Sequence, residues 1–151
     1  MAEWLGHPTT WIYAEQLSPA GILAGLSAGR VSVSACPAGP RLWLHAPGEE
    51  ETTLQGTTVR SDLLELEVRV EEAAGQWLRL ATRHGVLCSV RIPAARWTHP
   101  VEVDMRRHGY LRAEVRVPDT RGRTPVARLP VAALTNPVWH AGFLGPRGES
   151  R

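Results

Sequence analysis

The chain contains no lysine, so all 17 of its basic residues are arginine. They are interspersed with 15 acidic residues for a net charge of +2. No stripe of one sign results, and this excludes an electrostatic nucleic-acid surface. There are two cysteines, Cys36 and Cys88, too few for a secreted disulfide scaffold and too widely spaced for a CxxC site, so a reducing compartment is expected. No run of ~18 apolar residues occurs, which excludes a membrane helix. The opening MAEWLGHPTTW has neither the basic nor the apolar region of an export signal, and the expectation is a cytoplasmic protein. Aspartate is also scarce, at Asp62, Asp104 and Asp119, which leaves little material for a carboxylate-rich metal centre. At 151 residues the chain is shorter than an α/β barrel of ~250.

What is present favours strands. Hydrophobic residues make up 43%, enough for a core, and 14 glycines and 12 prolines punctuate the chain. Pro8 disfavours helix at the start, so an extended segment is expected through Trp11-Ile12-Tyr13-Ala14. A short helix follows: Ser18 can cap it, Pro19 suits its first turn and Gly29 suits the left-handed position beyond it. Ile22, Leu23 and Leu26 fall on one face of that helix, and Gly21 and Gly25 weaken it. From Arg30 the period becomes two, as in Leu64, Leu66, Val68 and Val70, or Leu111, Ala113, Val115 and Val117. The same alternation through Val101, Val103 and Met105 predicts one continuous strand. Seven or eight strands at roughly ten-residue spacing predict an antiparallel, immunoglobulin-like β-sandwich, whose last strand stops at Asn136-Pro137.

Chemical motifs are sparse. His7, His45, His84, His99, His108 and His140 show no HxH or HExxH spacing. Asp104 and His108, four residues apart along a strand and turn, do not aim at one point. No GxSxG elbow or phosphate-binding glycine loop occurs, and both cysteines sit in apolar strand contexts. Of six tryptophans, Trp11, Trp43 and Trp139 are expected in the core. Trp4, Trp77 and Trp97 are the candidates for exposure.

Specificity comes from segment order. Gly6-His7-Pro8-Thr9-Thr10-Trp11-Ile12-Tyr13-Ala14-Glu15, the short helix and Ala28-Gly29-Arg30-Val31-Ser32-Val33-Ser34 resemble the end of the PHP-type domain in metal-dependent hydrolases of the CehA/McbA kind. Tyr110-Leu111-Arg112-Ala113-Glu114-Val115 and Ala133-Leu134-Thr135-Asn136-Pro137-Val138-Trp139 look like the closing strands of the C-terminal sandwich in those proteins.

The resemblance implies a metal-dependent phosphoesterase or related hydrolase, whose barrel holds divalent manganese, zinc, iron or magnesium to activate water. In that family the ligands come from His and Asp motifs upstream of the segment with which this chain opens. The chain is therefore expected to be a C-terminal fragment or subunit, carrying no metal ligand set and inactive alone. Residues 1–29 would be the remnant of the barrel, 30–141 the sandwich and 142–151 a frayed tail. His7, Thr9, Thr10 and Arg30 would lie nearest the chemistry, Arg30 being suited to a phosphate oxygen, although offsetting a helix C-terminus is the commoner use of an arginine so placed. The expected partner is a PHP barrel supplied in trans, and the exposed N-terminal apolar segment offers a second surface for homo-oligomerisation. The alternative is a free-standing sandwich that binds a protein or glycan.

Overall fold

Strict alternation builds most of the structure. In the computed structural model, which describes residues 6–49, 51–119 and 121–143, Leu66, Val68 and Val70 are buried while Glu65, Glu67, Arg69 and Glu71 take the opposite face of the same strand. That strand, β5 (Leu63–Glu71), is the middle of a three-stranded antiparallel sheet. It pairs on one side with β3 (Arg41–His45) and on the other with β8 (Arg96–Asp104).

The second sheet is larger and also predominantly antiparallel. Its central strand β9 (Tyr110–Arg116) pairs along one edge with β6 (Trp77–Thr82), which carries β7 (Gly85–Arg91) as a hairpin partner. Along the other edge β9 meets β10 (Val131–Thr135) and then β11 (Val138–His140). Beyond β10 come β2 (Val31–Ser34) and β1 (Thr9–Ile12), both antiparallel. A two-residue strand, β4 (Thr58–Val59), joins β11 in the one parallel pairing among the described residues. Leu42, Leu44, Leu66 and Val68 of the smaller sheet and Leu78, Leu80, Leu111, Val115 and Val138 of the larger share one core.

The break at Asn136-Pro137 falls where the sequence places it, and the chain then resumes as β11. Thr135, 1% exposed, covers the gap: its hydroxyl accepts from the Ala113 amide at 3.1 Å, between the stretches of β9 that pair with β10 and β11. Asn136 anchors the N-terminal segment, donating from Nδ2 to the Gly29 carbonyl (2.9 Å) and from its amide to the Val31 carbonyl (2.9 Å). Gly56 presses against the same corner with φ +80°. A Cβ there would stand 2.3 Å from the Gly29 oxygen, so only glycine fits.

The helix α1 (Pro19–Ser27) has the predicted ends. The Ser18 hydroxyl accepts from the Gly21 amide at 3.1 Å, and Gly29 adopts φ +71°.

Three expectations are corrected. The described residues contain eleven strands rather than seven or eight, because β1 and the very short β4 join the sheet and the final segment splits in two. Val101, Val103 and Met105 do not form one strand. Asp104 Oδ1 accepts from the Arg107 amide at 2.8 Å and caps a single helical turn, α2 (Met105–His108), which closes at Gly109 with φ +75°. The division of tryptophans fails as well: Trp11, Trp43, Trp77, Trp97 and Trp139 are all half-buried. Leu42 and Leu44 point inward, so Trp43 must point outward. Trp97, opposite Val70, lies on the core side. Trp4 and the tail from residue 144 onward lie outside the described residues.

Candidate functional site

The four residues singled out for proximity to chemistry are not gathered at one point. In the β1–β2 pairing Thr9 lies opposite Ser34, whereas Arg30 precedes β2 at its other end, its carbonyl accepting from the Tyr13 amide at 2.9 Å. The two ends are about 13 Å apart at the usual rise per residue. His7 and Thr10 are exposed, and the Thr9 hydroxyl donates to the Gly6 carbonyl. Arg30 Nη1 bonds Glu15 Oε1 at 2.7 Å, so its guanidinium is held by a carboxylate beside α1.

A concave site forms instead on the outer face of the smaller sheet. It is an open groove of about 240 Å³ lined by Tyr13, Arg41, Trp43, His45, Arg69 and Glu71. Period-two geometry explains the set. Arg41, Trp43 and His45 alternate with inward Leu42 and Leu44, while the neighbouring strand places Glu71 opposite Arg41 and Arg69 opposite Trp43. Tyr13 enters from the segment after β1. His45, 5% exposed, is fixed at the opposite end by the loop that follows β3, with Nδ1 donating to the Thr52 carbonyl. A carbonyl can only accept, so in the neutral ring the proton is on Nδ1 and the lone pair on Nε2.

Ion pairs cross the floor of the groove. Glu71 serves two guanidinium groups, Arg69 Nη2 at 3.2 Å from Oε1 and Arg41 Nη1 at 3.9 Å from Oε2. Its side chain is 13% exposed, against 34% for Arg69 and 37% for Arg41. The Arg41 guanidinium also lies 4.8 Å from the centre of the Trp11 ring, and its buried Nε has no hydrogen-bond partner among the described residues. The sequence signal was present, since Leu42 and Leu44 already require Arg41, Trp43 and His45 to share the other face. Placing Trp43 in the core hid it.

Two further polar clusters are structural in geometry. His140, buried in β11, has Nε2 3.2 Å from Asp62 Oδ1, without the alignment of a hydrogen bond, while Nδ1 accepts from the Gly142 amide at 3.2 Å. Asp62 is mostly exposed and also sits 3.7 Å from Arg106. Near α2, His108 Nδ1 lies 3.2 Å from the Thr82 hydroxyl, and its ring packs edge-on to His84 at 5.9 Å. Desolvation, then the nearby Arg107, His84 and Arg83, hold His108 below the usual histidine range against the opposing pull of Asp104. Burial raises the Cys88 thiol, which works against thiolate chemistry.

No three His, Cys, Asp or Glu side chains among the described residues converge on a position that could hold a metal ion. No helix among the described residues is long and apolar enough to cross a membrane. Comparison with protein-family models, with curated proteins and with solved structures finds no match to the chain.

Proposed function

We propose that this chain is an accessory immunoglobulin-like β-sandwich of a PHP-type metal-dependent hydrolase, which contributes no metal ligands and docks a catalytic barrel through α1. The observation that carries the reading is the orientation of that helix. Its two glycines face the protein: Gly25 is buried, and a Cβ on it would stand 2.4 Å from the Tyr13 carbonyl oxygen. A Cβ on Gly21 would stand 2.2 Å from the Gln16 oxygen. The bulky residues of the helix consequently turn outward, with Leu23 64%, Leu26 49% and Ile22 38% exposed, and Leu17, just before the cap, is 98% exposed. The helix carries no charged residue. A surface helix normally does the reverse, burying its large apolar side chains and exposing polar ones. An uncharged apolar patch that glycines push into solvent is the signature of a surface built to be covered. The order of family-like segments in the sequence supports a PHP barrel as the occupant.

The test mixes the purified chain with a PHP-type barrel lacking its own C-terminal β domain, in the presence of Mn²⁺ and a generic phosphodiester. Sedimentation should show a complex, and hydrolysis should exceed that of the barrel alone. Replacing Leu23 and Leu26 by glutamate should weaken association at least tenfold without unfolding the chain. No complex, or one indifferent to these substitutions, overturns the reading.

A second reading, a free-standing binding module, is favoured by one observation: the open groove around Trp43 brings aromatic and guanidinium side chains together on one exposed sheet face.

A further inference from the structure

We infer that β7 is an open docking edge for an extended acidic segment of a partner protein, which joins the larger sheet as a further strand with carboxylates at alternate positions. The site lies at the edge of that sheet remote from β1 and α1, so it does not depend on how the helix is covered.

Backbone direction sets the first requirement. Among the described residues β7 pairs with β6 and with no other strand. The Ile92 amide donates to the Gln76 carbonyl at 2.9 Å and its carbonyl accepts from the Gly75 amide at 2.9 Å, so Ile92 is bonded to the residues that lead into β6. Amides and carbonyls alternate in direction along a strand. Those of Val90 therefore also face β6, and those of Ser89 and Arg91 face the open side. The register irregularity lies beyond Leu80, which leaves Ser89 to Arg91 regular. Exposed edges are commonly blunted by proline or by an inward-pointing charge. β8, at the edge of the smaller sheet, carries Pro100. β7 has neither device: its inward residues include Cys88 and Val90, and Val86 and Leu87 are 45% and 36% exposed. The complement of such an edge is another extended strand, held by main-chain hydrogen bonds.

Charge sets the second requirement and defines the partner. β6, β7 and β9 hold a single acidic residue, Glu114, which is bound by Arg112 and Arg116. Arg79 and Arg91, on the same outer face, have no carboxylate partner among the described residues. Arg91 lies over the Trp77 ring, 5.7 Å from its centre, and Ser89, opposite Arg79, is too small to screen it from a strand added beside β7. Carboxylates at the outward positions of that strand would fall beside Arg91 and across Ser89 from Arg79, where opposite charges stabilise cross-strand pairs. The intervening positions would face inward against half-buried Cys88 and Val90 and call for apolar residues. A second copy of the chain fits this edge poorly. β7 carries no acidic residue, and pairing it with another β7 sets the arginines of both copies along one seam.

Two-dimensional NMR and amide exchange of the full chain test the edge with three heptapeptides: alternating glutamate and valine, alternating lysine and valine, and the glutamate peptide rearranged into blocks. The alternating glutamate peptide should bind saturably, at least tenfold more tightly than either of the others. It should slow exchange at the Ser89 and Arg91 amides and change Val90, already bonded to β6, far less. Ser89→Pro removes an N–H on the open side without breaking the β6–β7 ladder, and should abolish binding. Where that variant loses its dispersed spectrum, Arg91→Glu decides instead, and should lose the glutamate peptide and gain the lysine peptide. Absence of saturable binding, or shifts that map away from β7, would overturn the site. Equal binding of the lysine peptide would overturn the acidic assignment, and equal binding of the block peptide would overturn strand addition. A dimer of the chain alone with its Ser89 and Arg91 amides protected would assign the edge to a second copy and overturn the acidic partner.

Discussion

Glu114 Oε2 lies 2.6 Å from Arg116 Nη2, with only 2% of the glutamate side chain exposed. Arg112 reaches the other carboxylate oxygen at 2.7 Å, and Arg116 also donates to the Leu129 carbonyl at 2.7 Å. Burial opposes the charge on Glu114, but the hydrogen bonds and charges of Arg116 and Arg112 outweigh it and hold the carboxyl below its ordinary value. Breaking such a pair leaves unmatched charge in a poorly solvated place. Glu114→Gln should therefore cost about 3 kcal/mol, the lower end of the usual range because Arg112 is partly in water. The sign with pH follows from the lowered pKa: the stabilisation is complete above about pH 4.5 and is lost as pH falls through the folded-state value. Urea unfolding at pH 7 and along an acid series measures both quantities, and the acid dependence should be shallower in the variant.

Two histidines set a second, higher window. Desolvation lowers His99, and desolvation followed by its cationic neighbours lowers His108. A histidine lowered on folding binds its proton more readily in the unfolded chain, so stability falls as pH drops below about 6.5. The melting temperature should be level above pH 7 and decline from there towards pH 5. A His99→Gln, His108→Gln double variant should show a flatter profile, and an unchanged slope would assign the dependence elsewhere.

Thr135 replaces a missing rung of the sheet. Valine has the same shape without the hydroxyl, so Thr135→Val leaves the Ala113 amide buried and unpaired at a cost of about 1–3 kcal/mol. Amide exchange at Ala113 should accelerate more than at Val115, which distinguishes a local opening from a uniform loss.

Gly25 lets α1 approach the backbone at Tyr13. Gly25→Ala places a methyl group 2.4 Å from a carbonyl oxygen that cannot move alone, and should cost about 1–3 kcal/mol despite alanine's better helix propensity. Leu23→Lys, at a side chain already 64% exposed, should stay within about 0.5 kcal/mol. Thermal unfolding of the two variants side by side checks this inversion of the usual helix rule.

The elements that could be read in advance carry their own local code. Ser18, Pro19 and Gly29 mark both ends of α1, and alternation marks β5 and β9, because backbone geometry alone dictates those patterns. β4 has only two residues and exists through parallel pairing with β11, so no periodicity could announce it. Met105 continues the apolar alternation in type but not in conformation, since the Asp104 cap bends the chain one residue earlier. The groove illustrates a different limit. The facing of Arg41, Trp43 and His45 was legible from Leu42 and Leu44, but their union with Arg69 and Glu71 depends on the β3–β5 register, and Tyr13 reaches them only through tertiary packing.

The placement of β2 has a consequence for synthesis. One edge of that strand is covered at once by β1, but the other pairs with β10, Ser34 opposite Ala133. A growing chain must therefore carry β2 with an open row of amides and carbonyls until β10 has emerged. Such an edge is a template for pairing with another nascent chain. Slow, late closure of this kind follows from the non-local contact itself, and it leaves an unpaired strand edge and α1's exposed leucines in solvent together while the chain is being made.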